Sequence, residues 1–223
     1  MKKLILVLML CLMAGCSVNK QEVKDSIYNE LKDMSNAQPI TYTTMKKELY
    51  SYYLPKDVGR ISSNDLSSLL QKDGVKFIMN FNPNRIVAHD YYLKTTVFGY
   101  KEPEYSEDSK SYLNLKGTFK GNDKQYHYYT CTVTELGDNK YLLVLDMSYV
   151  NFTAVVNLVE LQPMIHSMMV IAKSFKYDAT EVITAYSLKY TADSIIHDLE
   201  EYKEEIPQSG LISQLQENPE EKE

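Results

Sequence analysis

Residues 112–149, YLNLKGTFKGNDKQYHYYTCTVTELGDNKYLLVLDMSY, decide the fold of this 223-residue chain. Three β-rich runs follow one another here, at 112–120, 125–136 and 140–149. The two short loops between them are Gly121-Asn122-Asp123 and Gly137-Asp138-Asn139. Short loops of Gly, Asn and Asp between β-rich runs are typical of hairpins, so the segment predicts a three-stranded antiparallel meander. Apolar and polar residues alternate in the first run, which indicates one buried face and one wet face.

Helical patterns flank this meander. On its N-terminal side, apolar spacing predicts helices at 23–34, about 43–53 and 62–71, a short strand at 76–80, and one or two strands over 85–98. On its C-terminal side, 151–161 fits a strand or a helix, and Pro163 suits the first turn of a helix that runs to about residue 175.

A long amphipathic pattern follows at 178–206 and predicts one helix of about 28 residues. Its spacing also suits a coiled-coil seam, although packing onto the domain's own sheet is the commoner use. The chain is therefore predicted to be α+β, with an antiparallel sheet of about four to six strands between N-terminal helices and a long C-terminal amphipathic helix.

The first sixteen residues carry a targeting motif. Lys2 and Lys3 precede an unbroken apolar run at 4–13, which as a helix of about 15 Å is too short to span a bilayer. The run ends in Met13-Ala14-Gly15-Cys16, which resembles the lipobox of bacterial lipoproteins. The resemblance implies a signal peptide cleaved after Gly15 and a diacylglycerol on Cys16, with fatty acyl chains such as palmitate. The alternative is an ordinary secretory signal that ends at a cysteine.

The resemblance predicts the order of segments and the location. Residues 1–15 are expected to be the signal peptide, 16–22 a short lipid-anchored tether, 23–206 a single α+β domain, and 207–223 a polar acidic tail. The motifs of the mature domain match no named family. We expect a lipid-anchored surface protein of the cell envelope, on the extracytoplasmic face of the cell membrane of a Gram-positive cell, or in the outer membrane if the cell is Gram-negative.

Composition argues against several function classes. The net charge is −6 and Arg60 and Arg85 are the only arginines, which argues against a nucleic-acid partner. No two of the 8 glycines lie within three residues of each other, which argues against a phosphate-binding loop. The four histidines are too far apart to form a ligand pair on one helix, so neither a metal nor another cofactor is expected.

Few residues suggest catalysis, and no catalytic residue is assigned. Asp90 and Asp146 both lie inside apolar runs, where a carboxylate is unusual. With His127 they are the best candidates if the protein is a hydrolase, because glycoside cleavage needs two carboxylates about 5–10 Å apart. Outward-facing strand aspartates are the ordinary alternative. Cys131 lies in a β-rich run with no lysine or arginine within six positions, which favours a small core side chain over a nucleophile.

Tyrosine is the stronger indication of function. The chain has 19 Tyr, 6 Phe and no Trp. Tyr126 and Tyr128 alternate into a threonine-rich run, and with Tyr112 and Lys116 they are predicted to form a binding face, since tyrosine offers a large, stiff contact area with a polar tip. The alternative is that tyrosine fills a semi-polar core because of its high β propensity. The register of the hairpin decides whether the tyrosines share a face with Lys116 and Thr118.

These observations favour an extracytoplasmic, membrane-anchored lipoprotein that acts as a non-catalytic binding or assembly module. Its expected partners are the membrane, through the lipid anchor, and an envelope protein or a cell-wall glycan. An extracytoplasmic hydrolase that uses strand carboxylates and a solute-binding receptor are the alternatives. A concave pocket with converging polar groups would favour either alternative, whereas a flat aromatic face would favour the binding module.

Overall fold

The computed structural model describes residues 19–89, 99–106 and 111–187. This part of the chain forms the helices α1 (Lys20–Asn36), α2 (Pro83–Ala88), α3 (Leu161–Ser174) and α4 (Ala179–Ser187), with a 3₁₀ turn at Leu158–Glu160. Its strands are β1 (Met45–Lys46), β2 (Tyr50–Tyr52), β3 (Val58–Ser63), β4 (Ser67–Lys72), β5 (Val75–Phe81), β6 (Glu104–Tyr105), β7 (Leu113–Lys120), β8 (Tyr126–Gly137), β9 (Lys140–Met147), β10 (Val150–Asn157) and β11 (Lys176–Tyr177).

Two antiparallel meanders make up the large sheet. Its eight strands lie in the order β3-β4-β5-β10-β9-β8-β7-β6, and β1, β2 and β11 form a small second sheet. The meanders meet where β5 pairs with β10, with Phe81 opposite Val150 and Phe77 opposite Ala154. The α+β class and the meander predicted over 112–149 are confirmed, and the latter corresponds to β7, β8 and β9.

One face of the large sheet carries the core. Helices α1 and α3 pack side by side and bury residues such as Ile27 and Met168 in the same cluster as Leu145 and Phe152 of the sheet. We call this the core face and the opposite one the outer face. Side chains alternate between the two along each strand, so the pairing register fixes which residues are exposed.

The predicted hairpin loops form the expected tight turns. Asp138 and Asn139 both have positive φ, 47° and 58°, which is the backbone of a type I′ turn. Asp73 and Gly74, with φ of 49° and 84°, join β4 to β5 in the same way. An Asp-Gly pair is among the strongest hairpin indications in a sequence. Asp73-Gly74 therefore indicates a hairpin directly after 62–71, in place of the helix predicted there.

The helices predicted at 43–53 and 62–71 are wrong. Tyr50 and Tyr52 of β2 both bury their rings, each stacked on Phe175 with centroid distances of 5.1 and 5.6 Å. Residues two apart share a side in a strand but not in a helix. In β4, Leu69 and Leu70 are adjacent and both buried, so this strand is covered on both faces. With β3 and β4 included, the large sheet has eight strands, more than the four to six expected.

The strand predicted from residue 85 is also wrong at its start, where α2 forms instead. The Asn82 side chain accepts a hydrogen bond from the Arg85 N–H, and Pro83 occupies the first helical turn. Both are typical of a helix N-terminus. The rest of that prediction, 90–98, lies outside the described residues, and so does its Asp90.

The remaining element predictions are confirmed as far as the structure reaches. Helix α1 matches the first predicted helix but begins at Lys20, inside the range expected as tether. The ambiguous segment 151–161 is mostly β10, and α3 is the helix predicted around Pro163. Helix α4 covers only the start of the pattern at 178–206, and it buries Val182 while Ala185 is exposed. Residues 188–223 lie outside the described part, in which no helix is long and apolar enough to cross a membrane.

Gly117 is required by close packing within the meander. It faces Tyr129 across the β7–β8 pair, and a Cβ at position 117 would lie 2.6 Å from the Tyr129 hydroxyl oxygen. The Tyr129 ring is buried and its hydroxyl lies 3.4 Å from that of Ser35 on α1. The absence of a side chain at Gly117 therefore lets the ring lie flat between sheet and helix.

We expect Gly117→Ala to lower the free energy of unfolding by about 1–3 kcal/mol, because the confined Tyr129 ring has to move. Gly59→Ala is the matched control in another strand, since its new methyl group would meet only the Gln71 carbonyl oxygen, at 3.9 Å. It should stay within about 0.5 kcal/mol of the wild type. Urea denaturation of both variants measures this, and equal losses would contradict the explanation.

Lys173 joins the two core helices. Its side chain is only 2% exposed, and its ammonium group donates hydrogen bonds to the carbonyl oxygens of Met34 and Ala37 at the end of α1. Carbonyls at a helix C-terminus have no partner within the helix, so Lys173 satisfies groups that would otherwise be buried unpaired. Burial lowers the pKa of Lys173 to about 8.

This pKa predicts that the contribution of Lys173 to stability increases with pH in mildly alkaline solution. The folded chain loses the Lys173 proton near pH 8, whereas the unfolded chain keeps it until about pH 10.4. The unfolded state then binds more protons at this side chain, so Lys173 contributes a rise of about 2 kcal/mol in the free energy of unfolding between pH 8 and pH 10. The buried Cys131 thiol, whose pKa is raised to about 12, contributes in the opposite direction over the same range. The effect is therefore measured as a difference: in urea denaturation across this range, the wild type should gain about 2 kcal/mol relative to Lys173→Met. An identical pH dependence in both proteins would contradict the assignment.

Candidate functional site

The β7–β8 register places the predicted tyrosines on the outer face. Thr118 lies opposite Tyr128 and Lys120 opposite Tyr126, while Lys116 lies opposite Thr130. Tyr126, Tyr128 and Lys116 therefore project from the same side of the sheet, away from α1 and α3. We refer to the group Lys101, Lys116, Lys120, Tyr126 and Tyr128 as the tyrosine surface.

Tyr128 is the most exposed aromatic ring of this surface, with 43% of the residue accessible. The Lys101 ammonium lies 5.6 Å from its ring centroid, within the range of a cation–π contact. Lys101 is held there because its backbone N–H donates to the buried hydroxyl of Thr118, at 2.6 Å. The Tyr128 ring therefore projects from β8, and the hydrogen bond to Thr118 of β7 holds Lys101 beside it.

Tyr112, the other predicted member, lies elsewhere. Its hydroxyl donates to the Lys20 carbonyl oxygen at 2.6 Å, and its ring packs on Tyr141 at 5.2 Å. The Lys24 ammonium lies 4.7 Å from the ring centroid. Tyr112 therefore fastens the start of α1 to the sheet and is not brought together with Tyr126 and Tyr128.

Asp146 and His127, the two hydrolase candidates within the described residues, do not converge. Asp146 is on the outer face, where its carboxylate accepts a hydrogen bond from Arg85 at 2.6 Å. The same guanidinium group also donates to the Met147 carbonyl oxygen. His127, with odd parity on β8, lies on the core side. Asp146 is thus neutralised by a cation and separated from the imidazole by the sheet.

His127 forms a pair with Asp123, which no sequence pattern indicated. Its Nε2 lies 2.9–3.0 Å from the two carboxylate oxygens of Asp123, while Tyr149 packs edge-on against the imidazole at 4.9 Å. Burial opposes ionisation of Asp123, but the hydrogen bond and charge of His127 outweigh it and lower the pKa of Asp123. Asn122, next in the same turn, donates to the Ser174 carbonyl oxygen. These contacts hold the β7–β8 turn against the end of α3.

A shallow groove of about 280 Å³ lies beside β2 and β11. Its charged lining residues are Lys46, Lys47, Glu48, Lys176, Asp178 and Glu181. Pockets that enclose small ligands are usually larger, from about 300 to 1,000 Å³, and mostly apolar. The groove contains neither Asp146 nor His127, so it does not form a catalytic pocket around the predicted candidates.

Within the described residues, no three His, Cys, Asp or Glu side chains gather closely enough to hold a metal ion. No family model matches the chain, and no curated protein matches its sequence. A crystal structure of a protein from Bacteroides thetaiotaomicron VPI-5482 aligns with 62% of this chain at 8% identity and a TM-score of 0.27. The match spans about half of that protein, 49%. At this level of similarity it carries no conclusion about fold or function.

Cys131 is a core residue, as predicted. It is fully buried in the middle of β8, and burial raises the pKa of its thiol to about 12. A nucleophilic cysteine needs a thiolate near neutral pH, so the surroundings of Cys131 suppress this reactivity.

We expect Cys131 to resist thiol-alkylating reagents in the folded protein. In a chain carrying Cys11→Ser and Cys16→Ser it is the one remaining thiol of the 3 cysteines. Alkylation followed by mass spectrometry should be at least about 100-fold slower in buffer than in denaturant, because exposure of a core strand requires extensive unfolding. Rapid labelling under native conditions would show that β8 is accessible from the solvent.

Proposed function

We propose that the protein is a lipid-anchored binding module on the extracytoplasmic face of a bacterial membrane. In this proposal the tyrosine surface binds an envelope protein or a cell-wall glycan, and the protein performs no catalysis. The observation that carries the proposal is the exposed ring of Tyr128 on strand β8, with the ammonium group of Lys101 held beside it.

The lipobox supports the anchored location. Cys16 lies three residues before Asn19, the residue that caps the start of α1. Two acyl chains hold a protein stably, whereas one chain gives only marginal, reversible binding. The many Lys, Asn, Tyr and Ile residues beside only two arginines, and the single cysteine that remains besides Cys16 after signal cleavage, support a Gram-positive cell membrane over a Gram-negative outer membrane.

The chemistry of the tyrosine surface suits a partner with many hydrogen-bond acceptors. Tyr126 and Tyr128 offer aromatic faces and hydroxyl groups at a low entropic cost, because each side chain has few rotatable bonds. Lys116 and Lys101 add ammonium donors at the rim. Sugar rings with acidic substituents and acidic protein loops both present such acceptors, together with apolar edges that stack on aromatic rings.

The positions of the ionisable groups favour binding over hydrolysis. Asp146 is paired with Arg85 on the outer face, and His127 with Asp123 on the core side. Asp90, the other predicted carboxylate, lies outside the described residues. The engagement of Asp146 by Arg85 and of His127 by Asp123, on opposite faces of the sheet, supports a module that recognises its partner without cleaving it.

Photo-crosslinking in living cells tests the proposal. A photoreactive amino acid at position 128 should give a covalent adduct with one envelope component, and the additional change Tyr126→Ala should reduce its yield. Tyr42 is the matched control, since it is 60% exposed but does not belong to the tyrosine surface. An adduct shortened by wall-degrading enzymes would identify a glycan, and one of defined mass a protein.

Two outcomes would contradict the proposed function. The first is an absence of adducts from positions 126 and 128. The second is an equal yield from position 42, which would indicate contact without specificity. For a purified partner, Tyr128→Ala should weaken binding about tenfold, as expected for a central aromatic contact.

A further inference from the structure

The start of α1 and two turns lie at the same end of the sheet. The Lys20 ammonium forms an ion pair with Glu135 at the end of β8, at 2.8 Å. The β8–β9 turn follows at once, and Lys140 just beyond it lies opposite Asn157 of β10. The 3₁₀ turn Leu158–Glu160 leaves the sheet at that point and contacts α1. We call this the anchor end.

Two apolar side chains are exposed at the anchor end. Leu136, at the β8–β9 turn, is 49% accessible, and Val159, in the 3₁₀ turn, is 57% accessible. Leu136 follows the exposed Glu135, whereas Val159 follows Leu158, which is buried in the core. The hairpin turn itself is polar, with Asp138 and Asn139 at its tip.

The chain that precedes α1 restricts where a lipid on Cys16 can lie. Two residues lie between Cys16 and Asn19, and the three steps of a fully extended chain, at about 3.5 Å each, span at most roughly 10 Å. The Lys20–Glu135 ion pair and the hydrogen bond from Tyr112 to the Lys20 carbonyl oxygen fix the start of α1 to the sheet. An anchored Cys16 therefore brings the anchor end within about 10 Å of the membrane surface.

We propose that the anchor end faces the lipid bilayer, with Leu136 and Val159 inserted at the level of the headgroups. The inference rests on the proposed lipidation of Cys16 and adds an orientation to it. Apolar side chains beside an acyl anchor gain from entering the interface, where the apolar region begins. The bilayer is therefore the partner that these two exposed side chains fit.

The orientation also sets the height of the tyrosine surface. Tyr128 lies eight residues along β8 from Leu136, which at about 3.3 Å per residue is roughly 26 Å. The β7–β8 end consequently points away from the membrane. The partner of Tyr126 and Tyr128 is then a component that extends beyond the headgroup layer, and not the lipid itself.

Tryptophan substitutions test this orientation, because the chain has 19 Tyr but no Trp. Leu136→Trp and Val159→Trp would be prepared as full-length lipidated protein and reconstituted into phosphatidylcholine–phosphatidylglycerol vesicles with brominated acyl chains. Ile61→Trp on the far edge strand β3 is the matched control, since Ile61 is 48% exposed. We expect quenching of tryptophan fluorescence at positions 136 and 159 to exceed that at position 61 several-fold.

Vesicle flotation tests the lipid anchor separately from the orientation of the domain. If the variants float with vesicles but the three positions are quenched equally, or positions 136 and 159 are not quenched, the proposed orientation is wrong and the anchor stands. If the protein does not float, the anchor is wrong and the orientation falls with it. Cys16→Ala in the Leu136→Trp background should abolish both flotation and quenching, because two side chains alone bury too little area to hold the domain on lipid.

Discussion

The β5–β10 pairing joins two meanders whose paired residues lie about 70 positions apart in the chain. Each meander is local, since its strands are connected by short turns, whereas the pairing between them brings distant parts of the chain together. Once Phe81 lies opposite Val150 and Phe77 opposite Ala154, all eight strands share one register. The alternation of side chains then assigns every strand residue to the core face or to the outer face.

The core face explains why the two long helices lie where they do. Helix α3 follows directly from β10 and returns across the sheet, and α1 packs beside it. Polar contacts complete this layer, with Lys173 on the end of α1 and His166 beside Glu30 at 2.7 Å. Because the helices occupy the core face, the tyrosine surface lies on the opposite face, where the Tyr128 ring is exposed.

The meander was predictable because its determinants are local. Gly137-Asp138-Asn139 adopts the turn conformation that its composition predicts. The alternation of side chains in β8 places Cys131 and Tyr128 on opposite faces of the sheet, whatever the rest of the fold. The position of Tyr112 was not predictable. It depends on α1, whose first turn lies more than 90 residues away in sequence. There the Lys20 carbonyl oxygen accepts a hydrogen bond from the Tyr112 hydroxyl.

The sequence by itself determined the β7–β9 meander, the approximate extent of α1 and α3, and the buried position of Cys131, because turn composition and apolar spacing act over a few residues. Only the tertiary structure decided that β2 is a strand and that Asp146 is paired with Arg85, whereas the Asp73-Gly74 turn after β4 is visible in the sequence. Short segments with apolar residues at mixed spacing fit either type of element. They adopt the one that buries their side chains against distant residues, as Tyr50 and Tyr52 do against Phe175.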